Sequence, residues 1–286
     1  MKIFRLITCT VFISLCCGCG GAEKKEMKAS EIIKLVKKGK PVHVVGKIIL
    51  DDIDFSTGGK PYILNANMLQ SEIRSNVFFE SCVFMGKVTS NGKYGTTAVQ
   101  TCFRNNIAFM GCDFRGEVDF DGAVVFGMLN FSRSIFRENT NFSNMAVWAK
   151  DSYFSEMKAE KNFLMVYASF LGNLYFHNAV FGGNASFQEI SIKGKLLLNN
   201  SIFADQAGFD LIEVYGNAFF NYVTFEQSAN FSWSRFMNAA DFVKTSFGKQ
   251  ANFEKTSFMN TVRFDGVDRT KLIFNDTFFV HNQITE

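Results

Sequence analysis

Proline is almost absent from this sequence, with only Pro41 and Pro61 among 286 residues. Proline has no backbone N–H group, so it interrupts a strand that must donate hydrogen bonds to its neighbours. No proline follows Pro61. The long proline-free part of the chain is therefore compatible with a structure in which the backbone N–H groups are needed for strand pairing.

Histidine is also scarce, and the three residues, His43, His177 and His281, are far apart in the chain. None has a partner at the spacing of a metal site or a catalytic triad. The Gly-Gly-x-Gly-x-Asp tracts of calcium-binding β-rolls are missing as well. We therefore expect no catalytic residue, no metal site, no cofactor and no small-molecule substrate.

Neither sign of charge dominates the sequence, which contains 30 Lys and Arg residues, 27 Asp and Glu residues and a formal net charge of +3. Removing residues 1–18 takes away Lys2 and Arg5 but no acidic residue, which leaves 28 basic and 27 acidic residues and a net charge of +1. A nearly neutral surface argues against nucleic-acid binding, and equally against an acidic surface that mimics DNA.

Phenylalanine, in contrast, is abundant, with 35 residues, and it recurs regularly in the stretch 229–264. The steps between successive Phe residues alternate between five and six, at positions 231, 236, 242, 247, 253, 258 and 264. Two residues before each Phe is a small or β-branched residue: Ala229, Ser234, Ala240, Thr245, Ala251, Thr256 and Val262. These steps fit neither the helical pattern i, i+3, i+4 nor simple alternation.

The rhythm predicts a solenoid of short straight segments that are joined by corners. Each Phe and the small residue two before it would point inward, and the residue between them would point outward, as in a strand. A small residue beside each ring lets a narrow interior close. We expect the outward Asn and Asp residues to be stacking and corner residues rather than acid–base pairs: Asn130, Asn141, Asn230, Asp241 and Asn252.

The triplets Ala229-Asn230-Phe231, Ala240-Asp241-Phe242 and Ala251-Asn252-Phe253 resemble the motif of the pentapeptide-repeat family: a small residue, Asn or Asp, then Leu or Phe, then two more. Every second unit has one extra residue, as in the Phe-rich eleven-residue variety of that family. The resemblance implies an all-β fold, a right-handed quadrilateral β-helix with about 22 residues per coil. Its coils would stack at roughly 4.8 Å.

Residues 1–18 are typical of a signal peptide, because Lys2 and Arg5 precede a largely apolar run at 6–15 that is too short to span a bilayer. Gly18-Cys19 resembles a bacterial lipoprotein cleavage site, with Cys16 and Cys17 as alternative acylated residues. Lipidation at Cys19 predicts an anchored protein of the bacterial cell envelope, at the outer membrane or cell surface rather than the inner membrane. A simple cleaved signal and an unprocessed anchor are the alternatives.

After residues 19–28, which we interpret as a lipid-anchored tether, residues 29–65 are expected to form an N-terminal cap helix and irregular first coils, and residues 66–286 the β-helix. The pattern predicts that this helix spans residues 30–38, with Ser30 as its N-cap. It would cover the open end of the first coil, or else dock on a partner or on lipid headgroups. Residues 85–99 break the rhythm and are expected to form a protruding loop or hairpin.

Three cysteines lie outside the signal region. Cys82 and Cys112 occupy small inward positions, whereas Cys102, directly before Phe103, is expected to point outward. A disulfide is possible in an oxidising compartment, but the pattern favours buried thiols.

One outward column differs from the others. The residues that directly precede the inward Phe on one face, one coil apart, are apolar or aromatic on four successive coils: Tyr153, Tyr175, Leu197 and Phe219. We call this set the sheet ladder and predict that it is exposed and contacts a partner. The alternative is aromatic stacking that stiffens the face.

The expected function is that of a non-catalytic envelope lipoprotein, a rigid β-helical scaffold for protein–protein contact. Its partners would be the membrane, through the lipid anchor, and an unidentified protein, or a second copy that docks on the C-terminal end. One rival is the topoisomerase-protecting, DNA-mimicking activity known in the pentapeptide-repeat family, which the location and the charge oppose. The other is a carbohydrate binder that uses outward Tyr and Trp residues.

Overall fold

The computed structural model describes residues 25–280 and the backbone of Ile284–Thr285. This part of the chain forms a parallel β-solenoid of about 12 turns with about 22 residues per coil, and one short helix lies near the N-terminus. Each regular coil gives one short strand to each of four sheets. The prediction of a four-sided all-β solenoid is confirmed.

We number the sheets in the order in which the chain passes through them from Val42 onward. Sheet 1 contains Val42–Val45, Val77–Glu80, Ile107–Met110, Leu129–Asn130, Asp151–Tyr153, Asn173–Tyr175, Leu196–Leu197, Ala218–Phe219, Ala240–Asp241, Val262–Arg263 and Ile284–Thr285. Sheet 2 contains Glu26–Met27, Ile48–Ile49, Val83–Phe84, Asp113–Phe114, Ile135–Phe136, Lys158–Ala159, Val180–Phe181, Ile202–Phe203, Thr224–Phe225 and Ser246–Phe247.

Sheet 3 contains Ile53–Asp54, Val88–Thr89, Val118–Asp119, Thr140–Asn141, Phe163–Leu164, Ala185–Ser186, Ala207–Gly208, Ala229–Asn230, Ala251–Asn252 and Leu272–Ile273. Sheet 4 contains Tyr62–Asn65, Met68–Ile73, Asn91–Tyr94, Thr97–Phe103, Val124–Val125, Ala146–Val147, Ser169–Phe170, Ser191–Ile192, Glu213–Val214, Arg235–Phe236, Ser257–Phe258 and Phe278–Phe279. Two 3₁₀ turns, Phe55–Thr57 and Arg269–Lys271, complete the elements described.

The interior is filled by Phe rings that stack along the axis of the solenoid. The ring centroids of Phe209 and Phe231 are 5.0 Å apart, and those of Phe231 and Phe253 are 4.8 Å apart, with nearly parallel planes. Rings from opposite faces meet edge-on, as Phe231 and Phe242 do at 5.5 Å and 88°. Stacked and edge-to-face pairs are the two favourable arrangements of aromatic rings, so the predicted pile of rings is confirmed.

The four corners are of two kinds, and the six-residue steps, such as that from Phe236 to Phe242, cross the corners that lack a residue with positive φ. At the corner between sheets 1 and 2 and at the corner between sheets 3 and 4, every eleventh residue has a φ near +60°, as Asn178, Leu211 and Trp233 do. The two remaining corners, between sheets 2 and 3 and between sheets 4 and 1, have three residues between the strands instead of four, and we refer to them as the short corners. We call these the 2–3 corner and the 4–1 corner.

The N-terminal helix, α1, spans Ala29–Lys37 and not 30–38. Lys28, rather than Ser30, is the N-cap residue, and its amide donates to the Glu31 carboxylate at 3.4 Å. Ser30 was the wrong choice because it already lies in the first helical turn. Ile32 and Val36 are buried in the same hydrophobic core as the first coils, which is the position of a cap.

The break in the rhythm at residues 85–99 is only partly a hairpin. Asn91–Tyr94 pairs antiparallel with the start of Thr97–Phe103, which confirms a hairpin there. Val88–Thr89, in contrast, is an ordinary sheet 3 strand between Ile53–Asp54 and Val118–Asp119. The expectation that the whole range protrudes was therefore wrong for its first part.

No disulfide joins Cys82, Cys102 and Cys112, the three cysteines of the described residues, and all three are buried. Cys102 was expected to point to solvent but is only 1% exposed. Burial raises the pKa of its thiol, and the charges of Arg104 and Glu72 lie close enough to act on it. The side chains around this ion pair cover a position that is open in regular coils.

Candidate interaction surfaces

The four side chains of the sheet ladder lie in register on sheet 1. Tyr153 pairs with Tyr175, Tyr175 with Leu197, and Leu197 with Phe219 on successive strands. The two tyrosine rings are stacked with centroids 5.1 Å apart. The Tyr175 hydroxyl donates to the Asp151 carboxylate at 3.1 Å. Burial first, and then Asp151, raise the pKa of both tyrosines. The four residues that the sequence predicted to form one column therefore do lie next to each other.

The ladder is less open than expected, since all four side chains are half-buried rather than exposed. The reason is the short distance between coils, which makes each side chain a cover for the next one. Beyond Phe219 the column continues with Asp241, whose carboxylate accepts two hydrogen bonds, of 2.7 and 2.6 Å, from the Arg263 guanidinium. A bidentate ion pair thus ends the apolar part of this face.

A second apolar column lies at the 4–1 corner, on the residue that follows each inward residue of sheet 4. Its amides each donate to the preceding coil, so its members are one coil apart. Seven large apolar side chains in it are 39–54% exposed. They are Phe126, Trp148, Leu171, Tyr215, Met237, Met259 and Val280. We call this set the apolar ridge.

Cationic groups lie against two of the aromatic rings of the apolar ridge. The Phe126 and Trp148 rings are stacked with centroids 6.0 Å apart, and the Arg104 guanidinium lies 4.6 Å from the Phe126 centroid. Lys193 occupies the one polar position of the ridge, with its ammonium nitrogen 3.4 Å from the centroid of the Tyr215 ring. These are cation–π distances.

The ridge and the sheet ladder are neighbours on the surface. A shallow hollow of about 290 Å³ at the 4–1 corner is lined by Phe126, Lys150 and Tyr153, among others. Glycines at this corner, including Gly172 and Gly194, allow the backbone to approach the preceding coil closely, because a Cβ on Gly194 would lie 2.5 Å from backbone atoms of Gly172. The two apolar columns thus flank one narrow, tightly packed corner.

The opposite corner shows that the fold does not require an apolar ridge. At the 2–3 corner the equivalent residues make the same backbone hydrogen bonds to the preceding coil. In the first coils they are Leu50 and Met85, which are exposed and apolar, but from residue 115 onward they are charged or small: Arg115, Arg137, Glu160, Gly182, Ala204, Glu226 and Gly248. Since one backbone geometry accepts both sets of side chains, the apolar character of the 4–1 corner does not follow from the solenoid itself.

Sequence reasoning missed the ridge, although it expected Trp residues on the outside; both tryptophans, Trp148 and Trp233, are 54% and 55% exposed. The prediction of outward columns considered only the residue before each Phe, because inward and outward residues alternate within a strand. The ridge occupies the residue after it, and only on every fourth segment. Grouping these residues at a period of 22 would have revealed the column.

A comparison with protein families agrees with this architecture. Residues 209–257 match the family model described as pentapeptide repeats (9 copies). The chain is a pentapeptide-repeat protein. Searches of the curated proteins and of the solved structures each found no match. The pentapeptide-repeat solenoid is typically a non-catalytic fold.

Little in the described part of this pentapeptide-repeat protein suggests chemistry at a metal or a nucleophile. Among residues 25–280, no group of three or more His, Cys, Asp and Glu side chains could hold a metal ion. His177 Nδ1 lies 3.0 Å from the Ser155 hydroxyl, and His43 is an exposed outward residue of sheet 1. His281 lies outside the described residues.

The predicted signal peptide, residues 1–18, and the predicted lipidation site, Cys19, also lie outside the described residues. Within the described part of the chain, no helix is long and apolar enough to cross a membrane.

Proposed function

We propose that this pentapeptide-repeat protein is a non-catalytic scaffold of the bacterial cell envelope, anchored through a lipid on Cys19, that contacts another protein through the sheet ladder. The observation that carries the proposal is the in-register stack of Tyr153, Tyr175, Leu197 and Phe219 on four successive strands. These side chains form a flat, rigid and apolar strip, and large aromatic side chains contribute strongly to protein interfaces.

Rigidity supports a scaffold, because the interior is occupied by stacked rings rather than by a substrate pocket. Phe209, Phe231 and Phe253 are fully buried and touch along the axis. Ligand sites in enzymes are usually concave, with a few convergent polar groups. The hydroxyl groups of the ladder instead bond to Asp151 within the same face, which also favours a protein surface over a carbohydrate site.

The C-terminal end supports self-association less well than the side of the solenoid. Sheet 2 ends at Ser246–Phe247, and the Lys271 ammonium donates to the carbonyl oxygens of Phe247 at 2.5 Å and Gly248 at 3.2 Å. A lysine on an edge strand opposes edge-to-edge pairing. A second copy is therefore the weaker candidate for the partner at this edge.

Site-specific photo-crosslinking tests the protein contact without removing buried surface. A photoreactive amino acid replaces Leu197 in one chain and Ser186 in a control, since Ser186 is a half-buried outward residue of the opposite sheet. We expect a discrete protein adduct in cells from position 197 only. Equal adducts from both positions, or none from position 197, would contradict the proposed contact.

Acyl labelling combined with mass spectrometry of the mature N-terminus tests the anchor separately. We expect a diacylglycerol-modified Cys19 in the membrane fraction, and loss of the label in Cys19→Ala. A chain that begins unmodified at Met1 in the cytosol would exclude the envelope location.

A further inference from the structure

The apolar ridge has no role in the contact proposed for the sheet ladder, and its shape differs. It runs along a convex corner and is one side chain wide. Phe126 and Val280 are seven coil steps apart, about 34 Å at ~4.8 Å per coil. Its seven apolar members make up a third of the 21 large hydrophobic side chains that are exposed among the described residues. A concentration of this kind marks an interaction site.

The charges beside the ridge are predominantly basic. Lys150, Lys193 and Lys195 are exposed at the 4–1 corner, and none of the three is in an ion pair with another described residue. The carboxylates nearby are fewer: Glu213 pairs with Arg235 at 3.2 Å, and Asp151, which accepts hydrogen bonds from the neutral groups of Tyr175 and Asn173, is not in an ion pair with a described residue. Three lysines against one carboxylate leave a positive balance of unpaired charge at this corner, which complements an anionic surface.

A second copy of the chain fits the ridge poorly. The ridge is a single column of side chains, whereas a stable dimer buries about 800 Å² on each partner, spread over about 20–30 residues. Two convex ridges also meet along a line, so only part of the ridge could be covered. A fluid lipid surface has neither restriction, because it deforms to cover a convex ridge.

The composition of the ridge matches the interface of a lipid bilayer. Trp and Tyr concentrate at the level of the headgroups, where an apolar ring and a polar edge are both accommodated. Lysines at the same level attract anionic lipids. Trp148, Tyr215 and Lys193 supply these groups along one straight edge, together with the apolar side chains of Leu171 and Met237.

We propose that the apolar ridge inserts into the headgroup region of an anionic lipid bilayer, so that the axis of the solenoid lies along the membrane surface. The side chains of the 4–1 corner enter the interface, and Lys150, Lys193 and Lys195 contact the lipid phosphates. This inference goes beyond the proposed scaffold function, and it depends neither on the partner of the sheet ladder nor on acylation of Cys19.

The two tryptophans of the chain make a direct test possible. Trp148 is on the ridge, whereas Trp233 is at the corner between sheets 3 and 4, 4.5 Å from the Lys255 ammonium nitrogen, and the two are about equally exposed. Trp233→Phe leaves Trp148 as the only reporter, and Trp148→Phe leaves Trp233. The full chain is mixed with vesicles of phosphatidylcholine, with or without phosphatidylglycerol, that carry brominated acyl chains as quenchers.

We expect the Trp148 emission to shift to the blue and to be quenched on vesicles that contain phosphatidylglycerol, and the Trp233 emission to stay unchanged. This readout remains informative if the N-terminal segment itself holds the chain on the vesicle, because it reports which side faces the lipid. Equal responses of both tryptophans, or no response of either on chains that sediment with vesicles, would overturn the proposal. A blue shift of Trp148 that depends on protein concentration without vesicles would assign the ridge to a second copy instead.

A matched pair of charge variants tests the same surface by a second measurement. Leu171→Asp plus Met237→Asp, in the Trp233→Phe chain, should lower the vesicle partition coefficient at least about tenfold, because two apolar groups leave the interface and two negative charges oppose the anionic lipid. Ala204→Asp plus Gln227→Asp adds the same charge at the 2–3 corner. This control should change the vesicle partition coefficient by less than about twofold, because only long-range repulsion acts on it. Equal losses in both variants would overturn the insertion.

Discussion

The coil that contains Ala159 and Phe163 reverses the arrangement of large and small residues found in its neighbours. On sheet 2 the inward column has Phe136 and Phe181 on either side of Ala159. On sheet 3 the small inward column has Phe163 where the next coil has Ala185. The Phe163 ring contacts Phe181 edge-on at a centroid distance of 5.3 Å. We infer that Phe163 fills the space that a ring at position 159 would occupy.

This compensation predicts strong coupling between the two positions. Phe163→Ala removes a fully buried ring and should lower the free energy of unfolding by about 3–5 kcal/mol, and Ala159→Phe alone adds a ring to a filled space and should lower it by about 1–3 kcal/mol. The double variant restores the arrangement of the neighbouring coils, in which Phe181 and Phe203 stack at 4.5 Å. It should therefore lie within about 1.5 kcal/mol of the parent chain.

Denaturant titration of the four chains measures the coupling, which should be at least about 2 kcal/mol in favour of the double variant. Because solenoids unfold partly coil by coil, amide exchange at Met165 and Phe176, which donate to the next coil at 2.8 and 2.7 Å, gives a local reading. Protection there should be lost in Phe163→Ala and return in the double variant. A double variant as unstable as the sum of the single changes would refute the compensation.

The remaining predictions concern one corner and one face. Gly194→Ala should lower the free energy of unfolding by about 1–3 kcal/mol, because the new Cβ would lie 2.5 Å from the backbone of the preceding coil. Gly208→Ala is the control, since its Cβ meets its nearest atom at 3.5 Å and should be tolerated. Equal unfolding midpoints of the two variants in a denaturant titration would contradict the close packing at Gly194. Burial, followed by Asp151, raises the pKa of Tyr153 and Tyr175, so their contribution to stability is fully present below about pH 10, the unfolded pKa, and is lost as pH rises through the folded pKa. Unfolding midpoints should therefore fall more steeply above pH 10 in the parent than in a chain with both tyrosines changed to Phe, and identical slopes would contradict this.

The repeat made the architecture predictable from the sequence, because one local pattern, copied many times, fixes both the inward residues and the period. Phe209, Phe231 and Phe253 were predicted to touch, and they do, since residues one coil apart must stack in a parallel solenoid. The same argument placed Tyr153 and Tyr175 next to each other on one face.

What the sequence did not reveal depends on contacts between unlike parts of the chain. The burial of Cys102 arises from side chains at an irregular end of the solenoid, where the repeat no longer applies. The half-buried state of the sheet ladder depends on how far each side chain covers the next, a distance that the register alone does not give. The boundary of α1 followed local cap geometry at Lys28 rather than the more favourable Ser30.

The two short corners offer a comparison that few folds allow. Trp148 and Glu160 each follow a small apolar inward residue, and their amides donate to the preceding coil at the same 2.8 Å, yet from residue 115 onward one corner carries exposed apolar side chains and the other charged or small ones. Intrinsic backbone requirements are shared and so cancel in this comparison. We attribute the difference to what each corner meets outside the solenoid. Because leaving large apolar side chains in water favours association and aggregation, a surface that faces water fits the 2–3 corner from residue 115 onward, and the proposed membrane contact accounts for the 4–1 corner.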